Sequence, residues 1–341
     1  MKAIHLPTAF APNPSALQPS EIPVPIPKDG EYLVRITHCS PQHADILHAQ
    51  GKHQNNNARR GWCFPPFTLG FDFAGCILST PARSHAAEGL RKGDRVFGAG
   101  IGAFAEYVCV RAGAIRRVPD GLSNATACAA AGQAVSYASV VHVARVQAGE
   151  TVLVSGASGG LGTVGARVIA LAGDEEKAGR MRGEMDVDAV VVMGGDGHDG
   201  GGWVEEVRGF TGGEGVDVVL DNTGMVNEAI RCLAYGGRIV VLGFAARKGV
   251  MEEVKMNKLL LKSATVMGYR FGESGRRDAG ELQRIWDGYL EMLQRGRLTP
   301  LLYGEYEGLA AVGRALGDLA GRRVYGKIVV KVADEEAVAK L

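Results

Sequence analysis

At 341 residues the chain exceeds what one hydrophobic core organises, so two domains are expected, each large enough to fold without covalent staples. The 38 Lys and Arg nearly balance the 37 Asp and Glu, which excludes the basic footprint of a nucleic-acid or anionic-membrane binder and leaves small molecules or further copies of the chain as partners. Cys39, Cys63, Cys76, Cys109, Cys128 and Cys232 form no CxxC pair, and neither a targeting pattern nor a membrane-length apolar run is visible, so a cytoplasmic chain with reduced thiols is expected.

In chain order, Tyr32–Thr37, Phe71–Leu78, Arg95–Phe97 and Phe104–Val110 read as short strands separated by Pro and Gly, which predicts an antiparallel, barrel-like, mainly β domain. The Asn-rich stretch Gly51–Arg60 between them lacks apolar periodicity and is expected to be a mobile loop. From about Gly121 strands alternate with helices: Thr151–Ser155, Ala189–Val192, Val216–Leu220, Arg238–Leu242 and Thr265–Gly268. That alternation predicts an α/β, Rossmann-type, doubly wound parallel sheet. Leu282, Ile285, Trp286, Tyr289, Leu290 and Leu293 recur at helical spacing, with Gly296 as the C-terminal stop. A last strand, Tyr325–Val332, is assigned back to the first domain. The parallel-sheet domain, residues 123–269, is thus inserted into a discontinuous domain of residues 1–122 plus 270–341.

The strand Val152–Ser155 runs straight into Gly156-Ala157-Ser158-Gly159-Gly160-Leu161-Gly162. A dinucleotide pyrophosphate needs such a turn, because Gly159 and Gly160 let backbone approach the phosphates and Gly162 lets helix and strand pack closely. Asn222 and Gly243-Phe244 follow later strands and would share the same carboxyl edge, where ligands bind in such folds.

Leu69–Gly75, Lys92–Val96, Phe104–Tyr107, the turn Ala157–Gly162 and Tyr325–Val330, in this order and spacing, resemble the zeta-crystallin-type quinone reductases of the medium-chain dehydrogenase/reductase family. The resemblance spans nearly the whole chain. It implies a GroES-like first domain, hydride transfer from NADPH to a quinone or α,β-unsaturated carbonyl compound, and a homodimer formed through the nucleotide domain. At the positions where zinc-dependent relatives carry catalytic ligands this chain has Gln42, Phe71 and Ala131, none of them a thiolate or imidazole, so no metal is expected. His38, His43, His48 and His53 are spaced by five residues, which suits neither one helix face nor one strand face.

The resemblance also marks candidate site residues. Gln42 could hydrogen-bond the cofactor or a substrate oxygen, or be a solvated amide. His53 could donate a proton, or be a solvated loop residue. Asp72 is either an orienting group or a paired structural carboxylate. Phe244 and Phe271 could wall the nicotinamide or belong to the core, and Lys327 falls in a cofactor-contacting segment. Val135 replaces a threonine that reaches the cofactor. At the end of the second nucleotide-domain strand, Ala172 stands where an acid would select NADH, and Lys177 matches a position that meets the 2′-phosphate of NADPH, although Asp174 replaces a commoner Ser.

Thr163–Gly173 is only 11 residues, where the family has roughly eight more, so a crossover helix and a second strand cannot both fit. The reach argument favours a helix of about 16 Å, with Val164, Val168 and Leu171 buried and Ala189–Val192 shifted to the central strand. Cofactor binding would then be weakened. Two other readings stay open: an enoyl reductase acting in trans in a biosynthetic pathway, and a cofactor-impaired family member with a structural or interaction role.

Overall fold

Side chains alternate along the first long strand, β1 (Glu31–Ser40), where Tyr32, Val34 and Ile36 turn inward. From Thr37 onward every residue of β1 is buried, as expected where a strand is covered on both faces. The computed structural model describes residues 1–56, 63–81, 89–155, 166–194, 202–244 and 252–334. Two compact units emerge, residues 1–133 with 299–341, and residues 134–298.

In the first unit β1 pairs antiparallel with β2 (Asp72–Ser79), which pairs with β3 (Arg95–Ala99); β4 (Tyr107–Arg111) also pairs with β1, and β5 (Ile115–Arg117) with β3. The C-terminal strand Lys327–Lys331 returns to lie antiparallel beside β1. The short helix α1 (His43–Ala49) follows β1 directly, and α2 (Asn124–Ala131) lies on β2 and β3. One core of Val34, Ile36, Phe73, Ile77, Phe104 and their neighbours fills the unit.

The second unit is a six-stranded parallel sheet of β6 (Thr151–Ser155), β7 (Arg167–Ala172), β8 (Ala189–Val192), β9 (Val216–Asp221), β10 (Leu233–Val241) and β11 (Thr265–Gly268). Across the sheet they lie in the order β8–β7–β6–β9–β10–β11. Residues two apart share a face. Leu153, Ile169, Leu171, Val219 and Ile239 build one core, and Val152, Val154, Val168, Ala170, Val218, Leu220 and Val240 build the other. The long helix Ala279–Gln294 buries Ile285, Trp286, Tyr289 and Leu293, starts on the Asp278 cap and is followed by Gly296 at φ +64°.

The crossover after β6 differs from the helix that its length suggests. Arg167–Ala172 is a strand, not a helix, and it lies between β6 and β8, which leaves Ala189–Val192 at the sheet edge rather than at its centre. Burial on both faces decides the matter, since Val168, Ile169, Ala170 and Leu171 all go inside. Residues 156–165, with Val164, lie outside the described residues. The unit boundaries also differ from those read at 122/123 and 269/270. The helix α2 stays with the strands it covers, and the helix Ala279–Gln294 stays with α3 (Ala134–Ala138), against which it packs.

Close pairing of β1 and β2 depends on Gly75, where a Cβ would lie 2.1 Å from the Arg35 carbonyl oxygen. Gly75→Ala is expected to destabilise the protein by about 1–3 kcal/mol, whereas Gly113→Ala, which meets nothing within 4 Å, should change stability by less than about 0.5 kcal/mol. Thermal unfolding followed by circular dichroism checks both.

Candidate active site

At the carboxyl edge of the parallel sheet, β6 ends on Ser155 and β9 on Asp221, both buried. One Asp221 oxygen accepts the Ser155 hydroxyl at 2.9 Å, the Thr223 N–H and hydroxyl at 2.8 Å each, and the Gly224 N–H at 3.0 Å; the other accepts the Met225 N–H at 2.8 Å. Asn222 donates its backbone N–H to the Ser155 hydroxyl and its side-chain amide to the Ser155 carbonyl. The end of β10 joins the same rim: Leu242 N–H donates to the Asp221 carbonyl, and a Cβ at Gly243 would come within 3.0 Å of the Asn222 carbonyl oxygen. Three strand ends are thereby held in one rigid edge, with backbone close to backbone where a flat ligand needs access.

Around this rim the other candidates are dispersed. Phe244 is about half exposed, and Phe271 is partly buried, edge-on to Tyr269. Lys177 lies in α4 (Glu175–Glu184), its ammonium 3.2 Å from Asp174. Val135 is partly buried in the helix Ala134–Ala138. Gly156, Ala157, Ser158, Gly159, Gly160, Leu161 and Gly162 lie outside the described residues.

In the first unit Gln42 is the N-cap of α1, and its backbone N–H donates to the Asp45 carboxyl group at 2.9 Å. Asp45 is fully buried, and its second oxygen has no hydrogen-bond partner. Burial and the neighbouring Asp72 push its carboxyl pKa up, against the N–H of Gln42 and the charge of Lys327. Asp72 is buried too, 3.4 Å from the Lys327 ammonium, and its pKa is raised by burial against that ammonium. A Cβ at Gly132, just past α2, would strike both members of this pair. Lys327 is thus engaged with Asp72, and the paired structural reading of Asp72 describes its observed surroundings.

His53 is partly buried; its ring lies 3.9 Å from that of His48, which in turn contacts Phe71. The Asn55 N–H donates to His53 Nδ1 at 3.1 Å. His48 is buried, its Nδ1 has no partner, and burial lowers its pKa to about 3. His38 lies in β1, near Glu305, and His43 in α1. Among the described residues no group of three or more His, Cys, Asp or Glu is placed to hold a metal ion, and no helix is long and apolar enough to cross a membrane.

Asp221, Ser155 and Asp45 carry more of this architecture than the sequence reading gives them. The only local signals were Asp45 three residues after a helix start and Asp221 at the end of an apolar run.

Two family models match the chain: an alcohol dehydrogenase GroES-like domain over residues 28–120, and a zinc-binding dehydrogenase over residues 155–287. The quinone oxidoreductase-like protein 2 of Bos taurus is 32% identical over 318 residues, covering 89% of this chain and 85% of its own. A probable oxidoreductase from Mycobacterium abscessus is 30% identical, with a TM-score of 0.81 and coverage of 97% of this chain and 98% of that one. A mycobacterial protein solved in complex with NADPH is 26% identical, with a TM-score of 0.84 and coverage of 97% and 100%.

The Asp45 surroundings make a pH-dependent prediction. A carboxyl whose pKa is raised on folding stabilises the protein fully below its unfolded value and loses that contribution as pH rises toward the folded value. Asp45→Asn keeps an acceptor for the Gln42 N–H and removes the buried acid. It should be more stable than wild type at pH 7, by more than about 1 kcal/mol, with the difference vanishing toward pH 3. Denaturant titrations at the two pH values measure this, and a variant less stable than wild type at pH 7 contradicts it.

Proposed function

Because the chain belongs to the quinone oxidoreductases of the medium-chain dehydrogenase/reductase family, we propose that it reduces a quinone or an α,β-unsaturated carbonyl compound with NADPH and without zinc. The observation that carries the cofactor reading is the Asp221 rim, where Ser155, Asn222 and Gly243 bring three strand ends together at the ligand-binding edge of a parallel sheet. The residues fit a dinucleotide: small groups and a rigid edge at the sheet, and a lysine beyond the second strand. A zinc ion is not fitted in the same way. Gln42, Phe71 and Ala131 offer an amide, a phenyl and a methyl group, and the nearby buried carboxyl of Asp72 is matched by Lys327.

NADPH, when bound, supplies the hydride. A quinone or enone is already electrophilic, so it can accept hydride with hydrogen-bond help at its oxygen alone. Gln42 is assigned to that oxygen through its side-chain amide, and its backbone is held at the start of α1 by Asp45. His53 is assigned the proton. With Nδ1 accepting the Asn55 N–H, the neutral ring carries its N–H on Nε2 and can hydrogen-bond the oxygen that receives the electron pair; protonated from solvent at Nδ1, which releases the Asn55 N–H, the ring passes its Nε2 proton to that oxygen and returns neutral. Asn222, Gly243, Phe244 and Phe271, with Gly156–Gly162, are assigned to the cofactor. So is Lys177, and Lys327 is assigned there through its hold on Asp72.

The chain is further proposed to act as a homodimer in the cytoplasm. The edge strand β11 and the exposed Met256, Leu260 and Leu261 support the pairing of two copies, and six free cysteines support a reducing compartment. One observation favours a second reading, weakened cofactor binding. Only residues 156–166 link the parallel strands β6 and β7, fewer than a crossover commonly uses.

The test is NADPH oxidation against a panel of quinones and enones, with fluorescence titration of NADPH alongside. Turnover of at least one class, undiminished by chelators and with no stoichiometric zinc by elemental analysis, is expected; one tightly bound zinc per chain would overturn the metal-free reading. His53→Phe should lower kcat by about 10²-fold or more while leaving NADPH affinity unchanged. A kcat within twofold of wild type would remove His53 from the proton step.

A further inference from the structure

The strands β6 and β7 run side by side with Val154 opposite Ala170 and Ser155 opposite Leu171. The end of β7 therefore lies next to the end of β6, on the edge where a dinucleotide binds. In such sheets the residues that follow the second strand meet the adenosine ribose: an acid accepts the ribose hydroxyls of NADH, and a cation meets the 2′-phosphate of NADPH. This chain carries both in one short stretch. After Ala172 it turns through Gly173 to Asp174, which is extended at φ −152° and caps α4. One Asp174 oxygen accepts the Lys177 N–H at 2.9 Å, and the other lies 3.2 Å from the Lys177 ammonium. The adjacent Glu175 and Glu176 are paired elsewhere, with Arg182 and Arg180 respectively.

We infer that Asp174 is the residue that sets how strongly the chain prefers NADPH over NADH, because its carboxylate both suits a ribose hydroxyl and competes with a 2′-phosphate for Lys177. The inference deepens the cofactor reading proposed above and rests on it. The N–H and ammonium of Lys177 hold the Asp174 carboxyl below its usual range, so it is ionised at neutral pH. Asp174 is also about half exposed, whereas Lys177 is mostly covered, so an arriving anion meets the carboxylate as well as the ammonium. For NADPH to use the lysine, its phosphate must take that ammonium from Asp174 and sit beside a like charge. NADH meets no such conflict. Preference for NADPH is therefore narrow in this chain, and it is narrowed by Asp174 itself.

The test uses the full chain and reads binding rather than turnover. NADPH and NADH are titrated by fluorescence against wild type, Asp174→Ser, Lys177→Ala and the control Glu175→Gln, which removes a neighbouring charge. Serine keeps an acceptor for the cap of α4, so Asp174→Ser should melt with wild type. It is expected to raise the ratio of the NADH to the NADPH Kd about tenfold, or about 1.4 kcal/mol, while Lys177→Ala lowers the ratio below that of wild type. An unchanged ratio in Asp174→Ser, or an equal rise in Glu175→Gln, overturns the inference while leaving the cofactor reading standing. Failure of wild type to bind either dinucleotide overturns the cofactor reading, and this inference with it.

Discussion

A carboxyl group without water is tolerated only when donors surround it, and the second unit is organised around one such group, Asp221. Its oxygens receive donors from two hydroxyls and three backbone N–H groups. The consequence is mechanical as well as electrostatic. The turn after β9 cannot shift without stripping donors from a buried acid, and the end of β6 is bound into the same network through Ser155. A sheet whose strands merely ran parallel would leave those ends free to fray. Here they form a fixed rim, and a fixed rim is what orienting a cofactor requires.

The first unit handles buried charge in the opposite manner. Asp45 and Asp72 share one ammonium, that of Lys327, and one oxygen of Asp45 has no partner. Such an arrangement costs stability, and Gly132 has to lack a side chain to admit it. The cluster reaches the start of α1 through Asp45, which accepts the Gln42 backbone N–H.

The charges around α4 connect the two themes. Asp174 does for the helix what a neutral cap would do, but it brings a full negative charge to the point where the chain leaves β7. The exposed acid beside a mostly covered lysine is inexpensive for folding. Its weight falls instead on what binds there, so a local capping choice becomes a property of recognition.

How much of this was legible beforehand follows from the range of each signal. Strand alternation in Tyr32–Ile36, the apolar run Val152–Val154 of β6 and the helical spacing of Ile285, Trp286, Tyr289 and Leu293 are local patterns, so the α/β class and the returning C-terminal strand could be read from the chain alone. Arg167–Ala172 could not. Its six residues fit a helix or a strand equally well until β6 and β8 lie on either side and both faces are buried. The partners of the site residues were hidden for the same reason. Asp72 and Lys327 are 255 positions apart, and Ser155 and Asp221 are 66 apart. Periodicity records which face of a segment avoids water, and that the sequence by itself determined. Which buried acid meets which donor depends on register and neighbour order, and those were decided only when distant strands paired.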